Sequence, residues 1–189
     1  MSARRRLRAA ASVVILAVGL AACGHQAHPR VADANNNGGY VDAGPVSYQL
    51  QVSRLLNQYS TEDSQYIQGL PAGTIAPTPT QEWYAVFLQA KNQTAGNQVT
   101  TDHFVVTDTQ GNRYYPVKLD PKVNPYAWTP QTLKPAGTEP GPDTTASYGP
   151  TQGRLLLFKI NTSAYSNRPL TFEILGAGNQ SLASISLDL

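Results

Sequence analysis

The residue most clearly suited to a chemical reaction is Cys23, the only cysteine among 189 residues. It follows an apolar run, residues 9–22, which is preceded by four arginines within residues 4–8. A cationic start, a short apolar run and small residues at its end are typical of a cleaved secretory signal. The run is shorter than the ~20 residues that a membrane-spanning helix needs. Because one thiol cannot close an internal disulfide in an exported domain, this sulfur is available for another reaction.

The residues Leu20-Ala21-Ala22-Cys23 resemble the lipobox of bacterial lipoproteins. The resemblance implies signal cleavage after Ala22 and lipidation of Cys23 with diacylglycerol and acyl chains such as palmitate. Each buried CH₂ group contributes about 0.8 kcal/mol of membrane affinity, so two or three chains anchor a domain firmly. We therefore expect a lipid-anchored protein on the extracytoplasmic face of the cell membrane, or on an outer membrane if the bacterium has one. The alternative is an ordinary secretory signal with an incidental cysteine.

The basic composition of the whole chain belongs to the signal. Four of the fourteen Lys and Arg residues precede Cys23, which leaves ten against all twelve Asp and Glu residues and a net charge of −2. The remaining bases are scattered singly and form no basic stripe. A nucleic-acid partner is therefore excluded.

Three histidines are the other candidates for chemistry. His25 would complete an amino-terminal copper site only if the α-amine of Cys23 were free, and N-acylation removes that amine. His28 lies on the same tether. His103 beside Asp102 could act as a general base, but no nucleophile stands in a recognisable pattern with it. Since catalytic and metal-binding motifs are also absent from the sequence, we expect a non-enzymatic protein without a metal or cofactor.

Aromatic side chains in or near a Pro-rich stretch form the candidate binding surface: Tyr115, Tyr126, Trp128 and Tyr148. The run Pro-Tyr-Ala-Trp-Thr-Pro at 125–130 holds two rings on a stiff backbone. Rigid Tyr and Trp are favoured recognition anchors because little entropy is lost when they bind. They could contact a protein, a peptide or a sugar ring. The alternative is that Trp128 folds back as a plug over one open end of the domain.

The positions of these residues depend on a domain that we expect to be all-β. Residues 23–40 hold almost no large apolar side chain after the cysteine and are predicted to be a flexible linker, and residues 41–189 are predicted to be one domain. Val46, Tyr48, Leu50 and Val52 alternate with polar residues, which predicts a half-buried strand with these four on one face. Other β-rich runs bring the total to about seven strands: 82–91, 103–107, 113–119, 154–160, 170–175 and 181–187.

Two segments interrupt the strands. Ser60 is predicted to cap a short helix that ends before Gly69. Residues 120–150 hold seven of the fourteen prolines, and a structureless loop of that length is uncommon in a compact domain. We therefore predict an edge strand around 144–148, with the Pro-rich part wrapping one end of the domain.

The order of these segments resembles the telokin-like, immunoglobulin-fold domain of many bacterial surface lipoproteins. The matching pieces are EWYAVFLQAKNQT, FVVTDTQGNRYYPV, LKPAGTE, GRLLLFKI and PLTFEIL, within residues 46–175. The chain departs from the pattern by a longer Pro-rich insertion around 124–128 and by the lack of a cysteine pair. The resemblance implies an immunoglobulin-like antiparallel β-sandwich at the cell envelope and transfers no catalytic residue.

These observations favour a membrane-anchored interaction or assembly module with a protein partner in the envelope. The alternative is a module that binds glycan or peptidoglycan by stacking sugars on Tyr126 and Trp128. An enzyme using His103 is the third hypothesis.

Overall fold

The computed structural model describes residues 32–35 and 39–187, which form two packed β-sheets. In spatial order, sheet I consists of β1 (Ala32–Asn35), β13 (Ser181–Leu187), β12 (Leu170–Leu175), β6 (Phe104–Thr107) and β7 (Arg113–Tyr114). Sheet II consists of β2 (Tyr40–Ala43), β3 (Val46–Leu56), β4 (Gln81–Asn92), β11 (Arg154–Asn161) and β8 (Pro116–Val117), with β10 (Thr138–Glu139) paired to the end of β4. A separate small ladder joins β5 (Gln98–Val99) to β9 (Thr132–Leu133). All of these pairs are antiparallel except β1 with β13.

The helical elements are short. Helix α1 (Thr61–Ser64) continues into a 3₁₀ turn at Gln65–Ile67, and α2 (Thr145–Tyr148) lies in the Pro-rich segment. Two further 3₁₀ turns follow strands, at Thr162–Tyr165 and Ala177–Asn179. In the described part of the chain, no helix is long and apolar enough to cross a membrane.

Two apolar clusters lie on opposite faces of sheet II because β4 is apolar on both faces. Tyr84, Val86 and Leu88 point between the sheets into what we call the inner core, where they meet residues of sheet I such as Phe172. Trp83, Ala85 and Phe87 point the other way into the outer cluster. That second face is covered by residues 66–67 of the 3₁₀ turn, by Leu119, Tyr126 and Ala127, and by Ala146 of α2. The outer cluster is therefore a second core, built by segments without long strands.

The all-β sandwich fold is confirmed, and each of the seven predicted strands is present in whole or in part. The run 113–119 is divided, because the chain leaves sheet I after β7 and joins sheet II at β8. The predicted cap is also confirmed: Ser60 Oγ accepts a hydrogen bond from the N–H of Glu62 (3.2 Å), and Gly69 has a left-handed φ of +73°.

Three details of the prediction are wrong. Val52 does not share the face of Val46, Tyr48 and Leu50, because a β-bulge between Leu50 and Val52 shifts the register and turns Val52 to the outer cluster. The segment predicted as an edge strand around 144–148 forms helix α2, with Thr144 as its N-cap, because the Thr144 and Ser147 side chains form a reciprocal capping box. Within the predicted linker 23–40, Ala32–Asn35 pairs with β13 as a strand.

Candidate interaction site

The candidate ring of Tyr126 belongs to the outer cluster. Its side chain is only 5 % exposed and packs edge-on to Tyr66, with 4.9 Å between the ring centroids. The Tyr126 hydroxyl donates to Gln65 Oε1 at 3.0 Å, and burial raises the pKa of Tyr126. The prediction that Tyr126 is part of a binding surface is therefore wrong, since both its face and its polar tip are used inside the fold.

Trp128 lies on the other side of sheet II, against the inner core. Its ring meets Phe104 edge-on at 5.4 Å and Tyr48 at 6.2 Å between centroids. The indole Nε1–H donates to the carbonyl oxygen of Thr101 at 2.9 Å. The ring is partly buried and closes one margin of the inner core. This position agrees with the alternative interpretation, in which Trp128 folds back onto the sandwich.

The backbone explains how two residues so close in sequence reach opposite faces. The N–H of Leu155 on β11 donates to Tyr126 O (2.7 Å), and the N–H of Trp128 donates to Leu155 O (2.9 Å). Ala127 thereby forms an isolated parallel bridge with Leu155. A single bridge, unlike a regular strand, fixes the segment beside β11 without placing alternate side chains on one face.

The other two predicted rings are exposed. Tyr115, at the point where the chain changes sheets, is 60 % exposed, and Tyr148, in α2, is 73 % exposed. The Tyr148 hydroxyl lies 3.4 Å from Asp143 Oδ1. Because Tyr126 is buried and Trp128 packs on a different face, the four rings do not form one surface.

Trp128 nevertheless lines a groove that the sequence did not reveal. The groove has a volume of about 310 Å³, at the lower end of the range for ligand pockets. Its apolar wall comes from Trp128, Leu119 and three prolines, and Asp102 and Lys118 add one charge of each sign; the prolines are Pro116, Pro121 and Pro130. Such a groove can accept one apolar side chain or ring and orient it by a polar contact.

Two buried polar groups hold the segment that shapes this groove. Asn124 is fully buried, and its Nδ2 donates to the carbonyl oxygens of Tyr66 (3.1 Å) and Gln68 (3.0 Å). Arg154 on β11 forms an ion pair with Glu139, whose side chain is only 6 % exposed, and donates from Nη1 to Pro125 O at 2.6 Å. Because a buried polar group is costly unless it is paired, these contacts favour one conformation of the segment.

Two further polar centres stabilise loops elsewhere. Asp108 accepts from the backbone N–H groups of Gln110 (3.0 Å) and Asn112 (2.9 Å) and from the side-chain amides of Asn112 and Asn167. Desolvation raises the pKa of Asp108, but these hydrogen bonds outweigh it and hold the pKa below its usual value. The segment 108–112 is thus the turn that joins β6 to β7 in an antiparallel hairpin.

Asn92, at the end of β4, is the second centre and is fully buried. Its Nδ2 donates to the carbonyl oxygens of Gly96 (2.7 Å), Leu133 (3.0 Å) and Lys134 (3.0 Å). Its Oδ1 accepts from the N–H (2.8 Å) and hydroxyl (2.9 Å) of Thr94. One side chain therefore ties the end of a central strand to two loops.

The candidate general base, His103, lies on the surface beside Asp102. His103 Nε2 is 3.2 Å from Asp102 Oδ1, and both side chains are more than half exposed. Among residues 32–35 and 39–187, no group of three or more His, Cys, Asp and Glu side chains could hold a metal ion. Cys23, Ala22, His25 and His28 lie outside the described residues.

Comparison with known proteins supports the fold but does not assign the chain to a family. No family model matches the chain, and no curated protein matches its sequence. The crystal structure of the YjhA protein from Bacillus subtilis is similar, with a TM-score of 0.53 and 10 % identity over 82 % of this chain and 99 % of that one. At this identity the similarity shows a shared fold alone.

Two other crystal structures are similar at lower TM-scores. One is an uncharacterised β-sandwich protein from Clostridium difficile 630, with a TM-score of 0.42 and 10 % identity over 84 % of this chain and 96 % of that one. The other is YcdA from B. subtilis, described provisionally as a lipoprotein, with a TM-score of 0.45 and 10 % identity over 79 % of this chain and 38 % of that one.

Proposed function

We propose that this chain is a membrane-anchored extracytoplasmic lipoprotein, with a sandwich of the telokin-like immunoglobulin type, that acts as a non-enzymatic interaction module of the cell envelope. The anchor is Cys23 at the end of its lipobox-like sequence. The partner site is the groove lined by Trp128. An anchored domain searches for membrane partners at a high effective concentration, so a shallow site is sufficient for function.

The observation that carries the proposal is the construction of the groove. A partly buried Trp and three prolines form a wall that is already rigid, because the Trp128 indole is hydrogen-bonded to Thr101 O and packed edge-on against Phe104 of the inner core. A preorganised apolar wall with one carboxylate and one ammonium beside it is suited to a partner side chain that is apolar with a polar end. Tyr is a side chain of that kind.

The alternative, a glycan-binding module, is less well supported by the geometry. Stacking of a sugar chain on Tyr126 and Trp128 would need two exposed rings on one surface. Tyr126 is 5 % exposed, and Trp128 faces a different apolar cluster. A glycan would therefore have to bind Trp128 alone, within the same groove.

Photo-crosslinking in living cells tests the partner site. A photoreactive residue is placed at Lys118, which is exposed and lines the groove, in the full-length protein. The matched control is Lys122, which is exposed on the same segment and does not line the groove. We expect a discrete protein adduct from position 118 and not from position 122. Adducts with envelope polymer alone would favour the glycan alternative, and equal labelling from both positions would contradict the site.

A further inference from the structure

An apolar cleft of about 500 Å³ opens at one end of the sandwich, separate from the Trp128 groove. It lies between the start of β3 in sheet II and the end of β12 in sheet I. Its lining contains no Asp, Glu, Lys or Arg residue; the polar side chains are those of Tyr48, Thr101 and His103, and His103 contacts Asp102. The apolar residues include Pro45, Val46, Val99, Leu175, Ala177 and Leu182. Val99 is 67 % exposed beside it. In a largely apolar opening of this size, with an exposed branched side chain at its margin, an apolar partner would remove hydrophobic surface from water.

The chain reaches the domain at this same end. The first described residue, Ala32, pairs with Ala183, which follows the cleft residue Leu182. Ala183 in turn pairs with Ile174 of the cleft wall. Strand β1 then runs away from the cleft, from the level of Ala183 to that of Ser186. The described chain therefore enters the sandwich next to the cleft, at Ala32.

The distance to the proposed anchor is short. Eight residues separate Cys23 from Ala32. At most about 3.3–3.6 Å per residue can be spanned by an extended chain, so the lipidated sulfur lies within roughly 30 Å of Ala32. If Cys23 is lipidated as proposed above, the cleft end is the end held close to the membrane.

We propose that this end of the sandwich docks on the bilayer that holds the anchor, with Val99 and the cleft mouth in contact with the lipid interface. The proposal rests on the proposed lipidation of Cys23. The covering group is bilayer lipid rather than an acyl chain of the anchor, because such a chain is already removed from water in the bilayer and gains nothing by leaving it. The absence of Asp, Glu, Lys and Arg residues from the lining predicts docking that depends little on ionic strength.

Site-directed fluorescence on the full lipidated protein tests the proposal. Val99→Cys is labelled with an environment-sensitive dye, in protein reconstituted into phosphatidylcholine vesicles; the sulfur of Cys23 is blocked by its lipid. The control is Gln110→Cys, which is exposed in the 108–112 turn at the opposite end of the sandwich. We expect a blue-shifted emission at position 99 and several-fold stronger quenching by spin-labelled lipids than at position 110.

Flotation of the vesicles separates the two possible failures. Protein that does not float with the lipid contradicts the anchor itself. Protein that floats, but whose probe at position 99 is as solvated as that at position 110, contradicts the docked orientation alone. A blue shift at position 99 that occurs without lipid and grows with protein concentration would assign the cleft to a second copy of this chain and would also overturn the proposal.

Discussion

Truncation of Trp128 to alanine tests whether its ring stabilises the fold or is an exposed side chain that contributes little to stability. In the structure the ring packs against Phe104 and Tyr48, and its Nε1–H is bonded to Thr101 O. Truncation of a buried aromatic side chain to alanine lowers the free energy of unfolding by about 3–5 kcal/mol. Because Trp128 is only partly buried, we expect the low end, about 3 kcal/mol.

Urea denaturation measures this loss. It is followed by far-UV circular dichroism rather than by Trp fluorescence, because the substitution removes one of the two indoles and leaves only Trp83. With a denaturant slope near 2 kcal/mol per molar, about 3 kcal/mol lowers the urea midpoint by about 1.5 M. Trp128→Phe keeps an aromatic ring but loses part of the indole contacts and the hydrogen bond, so it should cost about 1–2 kcal/mol.

The matched control is Tyr148→Ala, which truncates an aromatic side chain on the same Pro-rich segment. Tyr148 is 73 % exposed, so its removal should change the unfolding free energy by less than about 0.5 kcal/mol. If Trp128→Ala were as harmless as Tyr148→Ala, the packing of Trp128 and the rigid groove wall inferred from it would be refuted.

Three other substitutions probe the polar centres. Asn92→Asp keeps the acceptor atom and loses the donors to three carbonyl groups, so it should cost about 2–4 kcal/mol in urea denaturation, whereas Asn97→Asp, on the exposed loop, should cost less than about 0.5 kcal/mol. Glu139→Gln should lower stability by about 2 kcal/mol, because the charged ion pair with Arg154 is replaced by a neutral hydrogen bond at most; an unchanged melting curve would contradict that pairing. Asp108→Asn should cost about 1–3 kcal/mol at pH 7. Because folding lowers the pKa of Asp108, its contribution is present above pH ~4 and is lost as the pH falls through the lower folded pKa, so the difference from wild type should shrink towards pH 3.

The local patterns in the sequence predicted the central strands of the fold, but not the β-bulge or the helix in the Pro-rich segment. The alternation at residues 46–50 and the doubly apolar run at 82–91 were sufficient for two central strands, because strand periodicity is a local property. The bulge after Leu50 was not visible, since the residues around it continue the same alternation. In the segment 144–148, Thr and Tyr favour a strand, but the capping box of Thr144 and Ser147 favours a helix turn.

The candidate site was harder to predict because it depends on contacts distant in sequence. Trp128 contacts Thr101 and Tyr48, which are far from it in sequence, and a local sequence pattern cannot predict such contacts. The sequence placed Tyr126 and Trp128 together because they are two residues apart, but the single bridge of Ala127 to β11 sends them to opposite sides of sheet II. One residue in the sequence could have indicated how this segment is held: Asn124 in the Pro-rich run. Its buried side chain donates to the carbonyl oxygens of Tyr66 and Gln68.

Both proposals depend on Cys23, so the mass of the mature amino-terminal peptide is the most direct test of the account. The protein is isolated from the membrane fraction of cells, and the peptide is sequenced by mass spectrometry. We predict that the peptide begins at Cys23 and carries the mass of a diacylglycerol and of acyl groups on that residue. A mature chain that begins elsewhere, or that carries an unmodified Cys23, would contradict the anchored interaction module.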